Sequence, residues 1–365
     1  MLARLRHPLP FATDEKWHQK VKAFISVRGK CQRRQARCLC RHTQLFFEFA
    51  DQRRLGTFSG LDLATRKLPQ SRELLSRRPL RDEDTTIYLL GTFHLLDGRT
   101  WFNDEVKAAF DASSELILEV LLPEDPAQQQ AIMGPLVMQY AVDPQGRTLS
   151  SRLTAEENEA MNRQLAGLGV PAGAFDRFEP WFVSLTLVQI AAQRLNLDAA
   201  NAPEIVLRRA ARERGMTEGQ LETSDFQIRM LDSVPEESQL RGLKEMIADP
   251  EAGVRTLRPM LDAWSRGDER AIAAITMQDS GNSDPVFYDI LFTNRNATWA
   301  EWIEDRLERP GTVFVAVGAG HLVGRGSVQE HLTRAGIASA RVPRAATVRV
   351  YPWCRSRSED RCRQR

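Results

Sequence analysis

Two short apolar runs that lie far apart in the chain end in the same way. The first run reaches Gly91 and is followed, three residues later, by His94; the second reaches Gly318 and then His321. A continuous apolar run bounded by glycine is typical of a strand buried inside an α/β sheet. Glycine permits a sharp turn where the strand stops. Each run therefore predicts a strand, a turn and a histidine at the carboxyl end of the strand.

Between the two runs, apolar residues recur mostly at helical spacing. Asn103 precedes one such helix, and the apolar stretch after this helix predicts a strand that ends at Glu119. A strand, a helix and a strand in this order predict a parallel pair joined by a right-handed crossover. From about residue 123 to residue 308, successive amphipathic patterns predict a large, mainly helical insertion.

These elements indicate an α/β fold with a parallel-rich mixed sheet, two strand-Gly-x-x-His units and a helical insertion between them. A short strand ending near Glu222 and a last strand at residues 338–342 are also predicted. In open α/β sheets, ligands bind at the carboxyl ends of the strands. The two histidines are therefore expected to face each other in one site.

Charge is distributed unevenly, although the formal net charge of the 365-residue chain is only +2. Residues 1–81 contain 19 Lys and Arg against 6 Asp and Glu, and residues 342–365 contain 7 against 2. The part between them carries a net charge of −16. We predict a folded domain over 82–350 and a disordered tail over 351–365. The basic extension 1–81 is expected to be disordered, or to result from a start codon assigned too far upstream.

Several functional classes find no support in the sequence. There is no G-x-S-x-G elbow, no P-loop and no dinucleotide-binding fingerprint. No stretch reaches the length of a transmembrane helix, and no apolar segment typical of a signal peptide follows the basic first residues. The basic extension lacks the signature of a nucleic-acid-binding fold, so we expect no nucleic-acid partner and keep binding through residues 1–81 as a minor alternative.

Three histidines lie in the predicted domain, and two of them, His94 and His321, belong to the repeated pattern. Neutral imidazole is a common metal ligand, and a carboxylate completes a three-ligand site that keeps one position open for water. Glu119 is the candidate carboxylate, because its predicted strand ends at the same edge of the sheet. His94, His321 and Glu119 thus predict a site for a divalent ion: Mn, Co, Fe or Zn. The alternative is that each histidine is a satisfied core residue.

The residues around both histidines resemble those of a known family. The segments IYLLGTFHLLDGRTWFNDEVKAAFDASSELILEV and VAVGAGHLVGRGSVQEHL are similar to the two signature blocks of the TraB/GumN family, whose animal relatives are the Tiki metalloproteases. The resemblance runs from about residue 82 to residue 342. It implies a metal-dependent, peptidase-like hydrolase that cleaves an amide or peptide bond in a peptide or protein substrate. It also implies a periplasmic, envelope or secreted location.

Further positions match the family pattern or depart from it. Glu222 matches a Leu-Glu-Thr position and is expected to act as a general base or a further ligand. Arg295, with Asn296 as a secondary residue, matches an acidic-Arg-Asn motif and is expected to stabilise an oxyanion or hold a substrate carboxylate. Asn294 replaces the usual acidic residue of that motif. Residues 201–204 stand where many members have a Gly-x-Asp turn, so either a carboxylate is lost there or Glu204 replaces it imperfectly.

These departures leave a second function open. The same scaffold could serve a non-catalytic protein that binds a peptide or a haem-like ligand. The two functions differ in their dependence on metal. A hydrolase should hold a divalent ion between the two histidines, whereas a binding protein could keep its ligand after the metal is removed. The sequence makes no prediction of the oligomeric state.

Overall fold

The computed structural model describes the backbone of residues 75–81, and it describes residues 84–278 and 284–340. Most of the predicted basic extension and the whole of the predicted tail lie outside the described residues. The same holds for the predicted last strand beyond residue 340. Residues 338–340, which were expected to begin that strand, form no strand, so this part of the prediction is wrong.

Five strands form one sheet in the order β1-β2-β5-β3-β4. Their bounds are β1 Leu75–Arg81, β2 Thr85–Thr92, β3 Glu115–Leu118, β4 Thr217–Gln220 and β5 Gly311–Gly318. Strand β1 runs antiparallel to β2, and β2, β5, β3 and β4 run parallel to one another. The predicted parallel-rich mixed sheet is therefore confirmed.

Strands β2 and β5, which carry the two Gly-x-x-His units, are direct neighbours. In their register Thr92 pairs with Gly318, so the two strands end at the same level. The sequence predicted that β2 and β3 would pair directly. Instead β5 lies between them and pairs with both, so this prediction is wrong. The hydrophobic pattern identified the strands but could not give their order, because β5 comes from a distant part of the chain.

The described residues also form twelve α-helices. Their bounds are α1 Asp104–Asp111, α2 Pro126–Tyr140, α3 Ala155–Gly167, α4 Pro180–Arg194, α5 Pro203–Glu213, α6 Ser224–Asp232, α7 Glu236–Ala248, α8 Ala252–Arg266, α9 Glu269–Thr276, α10 Pro285–Tyr288, α11 Asn294–Leu307 and α12 Val328–Arg334. Asn103 caps α1 as predicted, since its side chain accepts the N–H groups of Glu105 and Val106, both at 3.0 Å.

Side chains on the two faces of the sheet belong to two separate cores. On one face, Leu116 and Phe314 pack with residues of α1, α5, α8 and α9. On the other face, Ile117 and Val315 pack with residues of α11 and α12. Neighbouring residues of a strand point to opposite faces, so a strand covered on both sides has to be apolar throughout. This explains why β2 and β5 are continuous apolar runs and not alternating ones.

The predicted insertion is mainly helical, but it also contributes β4 and four of the helices that cover the sheet: α5, α8, α9 and α11. The remaining helices have cores of their own, one shared by α3, α4 and α7 and another shared by α2, α4 and α6. No helix among the described residues combines the length and apolar character needed to cross a membrane.

Candidate active site

The carboxyl ends of β2, β3 and β5 meet around Gly318. A side chain at this position would begin 3.2 Å from Glu119 Oε1, 3.3 Å from His94 Nε2 and 3.5 Å from His321 Cδ2. The backbone N–H of Gly318 donates to Glu119 Oε1 at 2.6 Å. Glycine is needed here for space, because its φ of −52° is open to any residue. The second glycine of the repeated pattern thus lets both histidines and Glu119 approach one point.

His321 is buried and held in one tautomer. Its Nδ1 lies 2.6 Å from Asn296 Oδ1, and Asn296 Nδ2 donates to the carbonyl of Gly326 at 2.7 Å. Because the amide nitrogen is committed to a carbonyl, Oδ1 must accept the proton of His321 Nδ1, and Nε2 keeps its lone pair. Burial, together with the charges of Arg295 and His94, lowers the pKa of His321 to about 3 against the opposing effect of Glu119. The ring is therefore neutral.

His94 has a carboxylate partner instead of an amide. Its Nδ1 lies 2.7 Å from Glu204 Oε1, which also accepts the hydroxyl of Thr92 at 2.5 Å. Desolvation lowers the pKa of His94, but the charge and hydrogen bond of Glu204 and the charge of Glu119 outweigh it and raise the pKa to about 9. Since the imidazole is 62% exposed, water screens part of this effect. These carboxylates favour the protonated form at neutral pH, and this proton must leave before Nε2 can ligate a metal.

Arg295 lies among the acidic side chains of the site. Its Nε and Nη2 donate to Glu222 Oε1 and Oε2, and Nη2 also donates to Glu119 Oε2, all at 2.8 Å. Its Nη1 donates to the carbonyl of Leu291 at 3.1 Å and lies 3.1 Å from His321 Nε2. A guanidinium has five N–H donors, and all five are taken by these contacts. In this arrangement Arg295 has no donor left for a substrate or an oxyanion.

Glu222 is saturated in the same way. Besides two hydrogen bonds from Arg295, its Oε1 accepts the indole N–H of Trp299 and its Oε2 accepts Gln227 Nε2, both at 3.0 Å. A carboxylate accepts about four hydrogen bonds, so no acceptor position remains for a water molecule. These contacts favour Glu222 as the anchor of Arg295 over its expected role as a general base.

The residues that reach this site from α11 lie within about one helical turn. Arg295, Asn296 and Trp299 are spaced so that one face of the helix presents all three side chains to the sheet edge. A π-helical turn, Asp289–Thr293, precedes α11, and in it the N–H of Asn294 bonds to the carbonyl of Asp289. Such turns are frequent at functional sites.

The three predicted metal ligands are close together, but their atoms are not arranged at the distances that a bound ion requires. His321 Nε2 is 3.9 Å from Glu119 Oε1, and Arg295 Nη1 faces the lone pair that a metal would use. Within the described residues, no group of three or more His, Cys, Asp or Glu side chains is arranged to hold an ion as it stands. The donor set itself fits a divalent transition metal. Two imidazoles, each held through Nδ1 by an outer residue, and one carboxylate are typical of such sites.

Sequence reasoning missed two contributors to the site. Trp299 contacts Glu222, and its position four residues after Arg295 on the same helix was the available signal. Glu204 was considered as an imperfect replacement for a family carboxylate, but its contact with His94, which spans 110 residues, was not predicted. No local pattern in the sequence indicates that the first turn of α5 reaches the end of β2.

The model of the TraB/PrgY/gumN family matches residues 79–341. This chain belongs to that family. The family match includes every residue of the candidate site and begins inside β1.

Two relatives share about a quarter of their residues with this member of the family. Protein YbaP of Escherichia coli (strain K12) is 26% identical over 193 residues, which span 53% of this chain and 71% of YbaP. A protein of Treponema pallidum (strain Nichols) is 27% identical over 267 residues, which span 68% of this chain and 77% of the relative. Both are named as uncharacterized proteins, so neither name indicates an activity. No solved structure matches the chain.

Proposed function

We propose that this protein is a metal-dependent hydrolase that cleaves an amide or peptide bond in a peptide or protein substrate. The observation that carries this proposal is the way both imidazoles are held. Glu204 occupies Nδ1 of His94 and Asn296 occupies Nδ1 of His321, so each ring can bind an ion only through Nε2, in the case of His321 once Arg295 Nη1 has moved away. Outer partners of this kind orient metal-ligating histidines.

The charges of the site also favour a bound cation. Three carboxylates, Glu119, Glu204 and Glu222, face two cations, Arg295 and protonated His94, so one negative charge is not balanced. Uncompensated charge is costly to bury. A divalent ion that binds with loss of the His94 proton would bring the sum to zero.

In this proposal His94, Glu119 and His321 hold Mn, Co, Fe or Zn. When bound, such an ion would lower the pKa of a water molecule that it ligates and would polarise the carbonyl of the substrate. The residues of the chain orient the site and admit the substrate. Glu204 fixes the ring of His94, whose 62% exposure marks the open side from which a substrate can approach.

Arg295 and Glu222 have a supporting part in this proposal. Arg295 neutralises Glu119 and Glu222 before an ion arrives, and its contact with His321 Nε2 has to give way when the ion binds. The choice of a peptide or amide substrate rests on the resemblance to the Tiki metalloproteases and not on the geometry.

Elemental analysis of the full-length protein tests the metal site. The unmodified protein is compared with His94→Ala, His321→Ala and, as a control, His331→Ala on α12. We expect about one transition metal ion per chain in the unmodified protein and in the control, and none in the other two variants. An unmodified protein that stays metal-free after incubation with Mn, Co, Fe and Zn would overturn the proposal.

A cleavage screen then tests the reaction. The metal-loaded protein is incubated with a peptide library and with simple amides, beside His321→Ala. Cleavage by the unmodified protein alone supports a hydrolase. Metal retained in full without cleavage of either substrate class would favour the non-catalytic binding protein instead.

A further inference from the structure

We propose that Trp299 is a positioning residue of this site, which holds the Glu222–Arg295 pair in place and thereby sets the positions of Glu119 and His321. The role of the site as a metal centre rests on the proposed function above. The positioning itself is a property of the protein that can be measured without metal.

Trp299 contacts three members of the site by three different interactions. Its indole N–H donates to Glu222 Oε1 at 3.0 Å. The guanidinium carbon of Arg295 lies 4.8 Å from the centre of its ring, and the ring of His321 is centred 4.4 Å away. The side chain is only 1% exposed, so water can replace none of these contacts.

The indole N–H distinguishes Trp299 from the other aromatic neighbour of His321. Phe292, whose ring is centred 4.9 Å from that of His321, can only pack against it. A buried indole N–H needs an acceptor, and a buried carboxylate needs donors, so Trp299 and Glu222 satisfy each other. Without the N–H, Glu222 Oε1 would be left with Arg295 Nε as its donor.

Ion pairs at both ends of helix α11 fix the position of Trp299. Arg295, one turn before Trp299, pairs with Glu119 at the end of β3. Arg306, near the other end of α11, pairs with Glu115 at the start of β3, with Nη2 3.0 Å from the carboxylate. The helix thus runs antiparallel to β3, and both ends are held by an ion pair. These two ion pairs hold α11, and with it the indole, against the sheet edge.

The test uses Trp299→Phe, which keeps an aromatic ring and removes the N–H, with Trp181→Phe as the matched control. Trp181 is also buried, at 5% exposure, and its indole N–H donates to a carboxylate oxygen of Asp232 at 3.3 Å. It belongs to the core of the helical insertion. Both substitutions therefore remove an N–H···carboxylate bond made by a buried tryptophan, and only one of them touches the site.

The first readout is the set of Arg295 N–H signals in nuclear magnetic resonance spectra of the metal-free, full-length protein labelled with ¹⁵N-arginine. Arg295→Lys identifies these signals. A guanidinium with all five donors engaged rotates slowly, so we expect sharp Nη signals in the unmodified protein and in Trp181→Phe. In Trp299→Phe we expect these signals to broaden or vanish.

The second readout is the affinity for Mn, Co or Zn, measured by equilibrium dialysis. Loss of an outer partner of a metal site weakens affinity by roughly 10- to 100-fold, and we expect this range for Trp299→Phe and no change for Trp181→Phe. Unchanged Arg295 signals together with unchanged affinity would overturn the positioning role and leave the metal site standing. Lost Arg295 signals in a chain that never binds metal would support the positioning role and overturn the proposed function.

A further measurement keeps the test decisive if Trp299→Phe does not fold. The indole N–H signal of Trp299 is compared between the unmodified protein and Glu222→Gln, with the signal of Trp181 as the internal control. We expect the Trp299 signal alone to shift, because its acceptor loses its charge. A Trp299 signal that stays in place would show that the indole does not hold Glu222.

Discussion

Two ion clusters in this molecule, each with a buried arginine at its centre, have the same balance of charge but different surroundings. The sheet-edge cluster consists of Glu119, Glu204, Glu222, His94 and Arg295, with neutral His321 beside them. The helical-lobe cluster consists of Asp143, Glu179, Glu236, Arg147 and Arg152. Each sets three carboxylates against two cations, so the count of charges alone does not mark a functional site.

The helical-lobe cluster joins elements of the insertion. Arg152 Nη1 lies 2.9 Å from Glu179, 3.3 Å from Asp143 and 3.4 Å from Glu236. Glu179 directly precedes α4, and Glu236 begins α7, so one guanidinium holds the starts of two helices and the loop after α2 together. Burial raises the pKa of Glu179 against the opposing effect of Arg152.

The difference between the clusters lies in their cations. Arginine keeps its proton at any ordinary pH and offers only donors, so both cations of the helical-lobe cluster are permanent. In the sheet-edge cluster one cation is His94, which can lose its proton and then offers a lone pair. Neutral His321 has a second lone pair, at Nε2, which Arg295 Nη1 contacts at 3.1 Å and has to release. An exchangeable proton and imidazole lone pairs, rather than buried carboxylates, therefore distinguish a site that can do chemistry from an ion cluster that supports the fold.

The largest expected effect comes from removing one carboxylate charge in each cluster. Glu119→Gln keeps the shape of the side chain but removes the charge that faces both histidines. Burial raises the pKa of Glu119, but the charges of Arg295 and His94 and the N–H of Gly318 hold this pKa below its usual value, so Glu119 stays ionised. We expect the affinity for metal to fall by more than about 100-fold, beyond the loss typical of an outer partner. Equilibrium dialysis with metal analysis measures it.

Glu179→Gln is the matched control for Glu119→Gln. Its carboxylate is similarly buried and is paired with Arg152 instead of Arg295. We expect its metal affinity to equal that of the unmodified protein. Equal losses in both variants would show that metal binding depends on general stability, which would remove the distinction between the clusters.

The second prediction removes the central guanidinium of each cluster. Arg295 is 8% and Arg152 is 6% exposed, and replacing either by Met leaves at least one buried carboxylate without its cation: Glu119 and Glu222 in the first case and Glu179 in the second. Breaking a buried ion pair from one side costs about 3–5 kcal/mol of unfolding free energy, and we expect this loss in Arg295→Met and in Arg152→Met. Denaturant unfolding with a spectroscopic probe measures it.

Added metal should separate the two guanidinium variants. A divalent ion can replace the lost charge at the sheet edge, where imidazole nitrogens are at hand, so we expect Mn or Zn to restore part of the stability of Arg295→Met. The helical-lobe cluster has no imidazole, so Arg152→Met should not respond. A stabilisation of equal size in both variants would contradict the assignment of the metal site to the sheet edge.

The sequence was a good guide to elements defined by local patterns. The continuous runs of β2 and β5 and the cap at Asn103 follow from residues that are close in the chain. Strand β1, LSRRPLR, was not predicted, because its many polar residues show no apolar run. A last strand was predicted over residues 338–342, but its described part, residues 338–340, forms no strand, because a short stretch of sequence does not supply a partner strand.

The candidate site shows the same division between local and distant information. Both histidines could be proposed because a repeated local pattern carries them. That all N–H donors of Arg295 are occupied could not be predicted, because its contacts reach Glu222 and Glu119, which are 73 and 176 residues away. Whether a side chain is free to meet a substrate depends on neighbours from every strand end, and no single stretch of sequence contains them.

The smallest expected effect comes from adding one methyl group to each region. In Gly318→Ala the new Cβ would lie 3.2 Å from Glu119 Oε1 and 3.3 Å from His94 Nε2, so both side chains must move by a few tenths of an ångström. We expect about 10-fold weaker metal binding and a loss of about 1 kcal/mol in unfolding free energy. Gly242→Ala in α7 is the control, because its Cβ meets nothing within 4 Å. Alanine favours a helix over glycine by up to about 1 kcal/mol, so this control should gain stability and bind metal normally. Equal metal binding in the two alanine variants would mean that the space beside Gly318 is not where the ion is held.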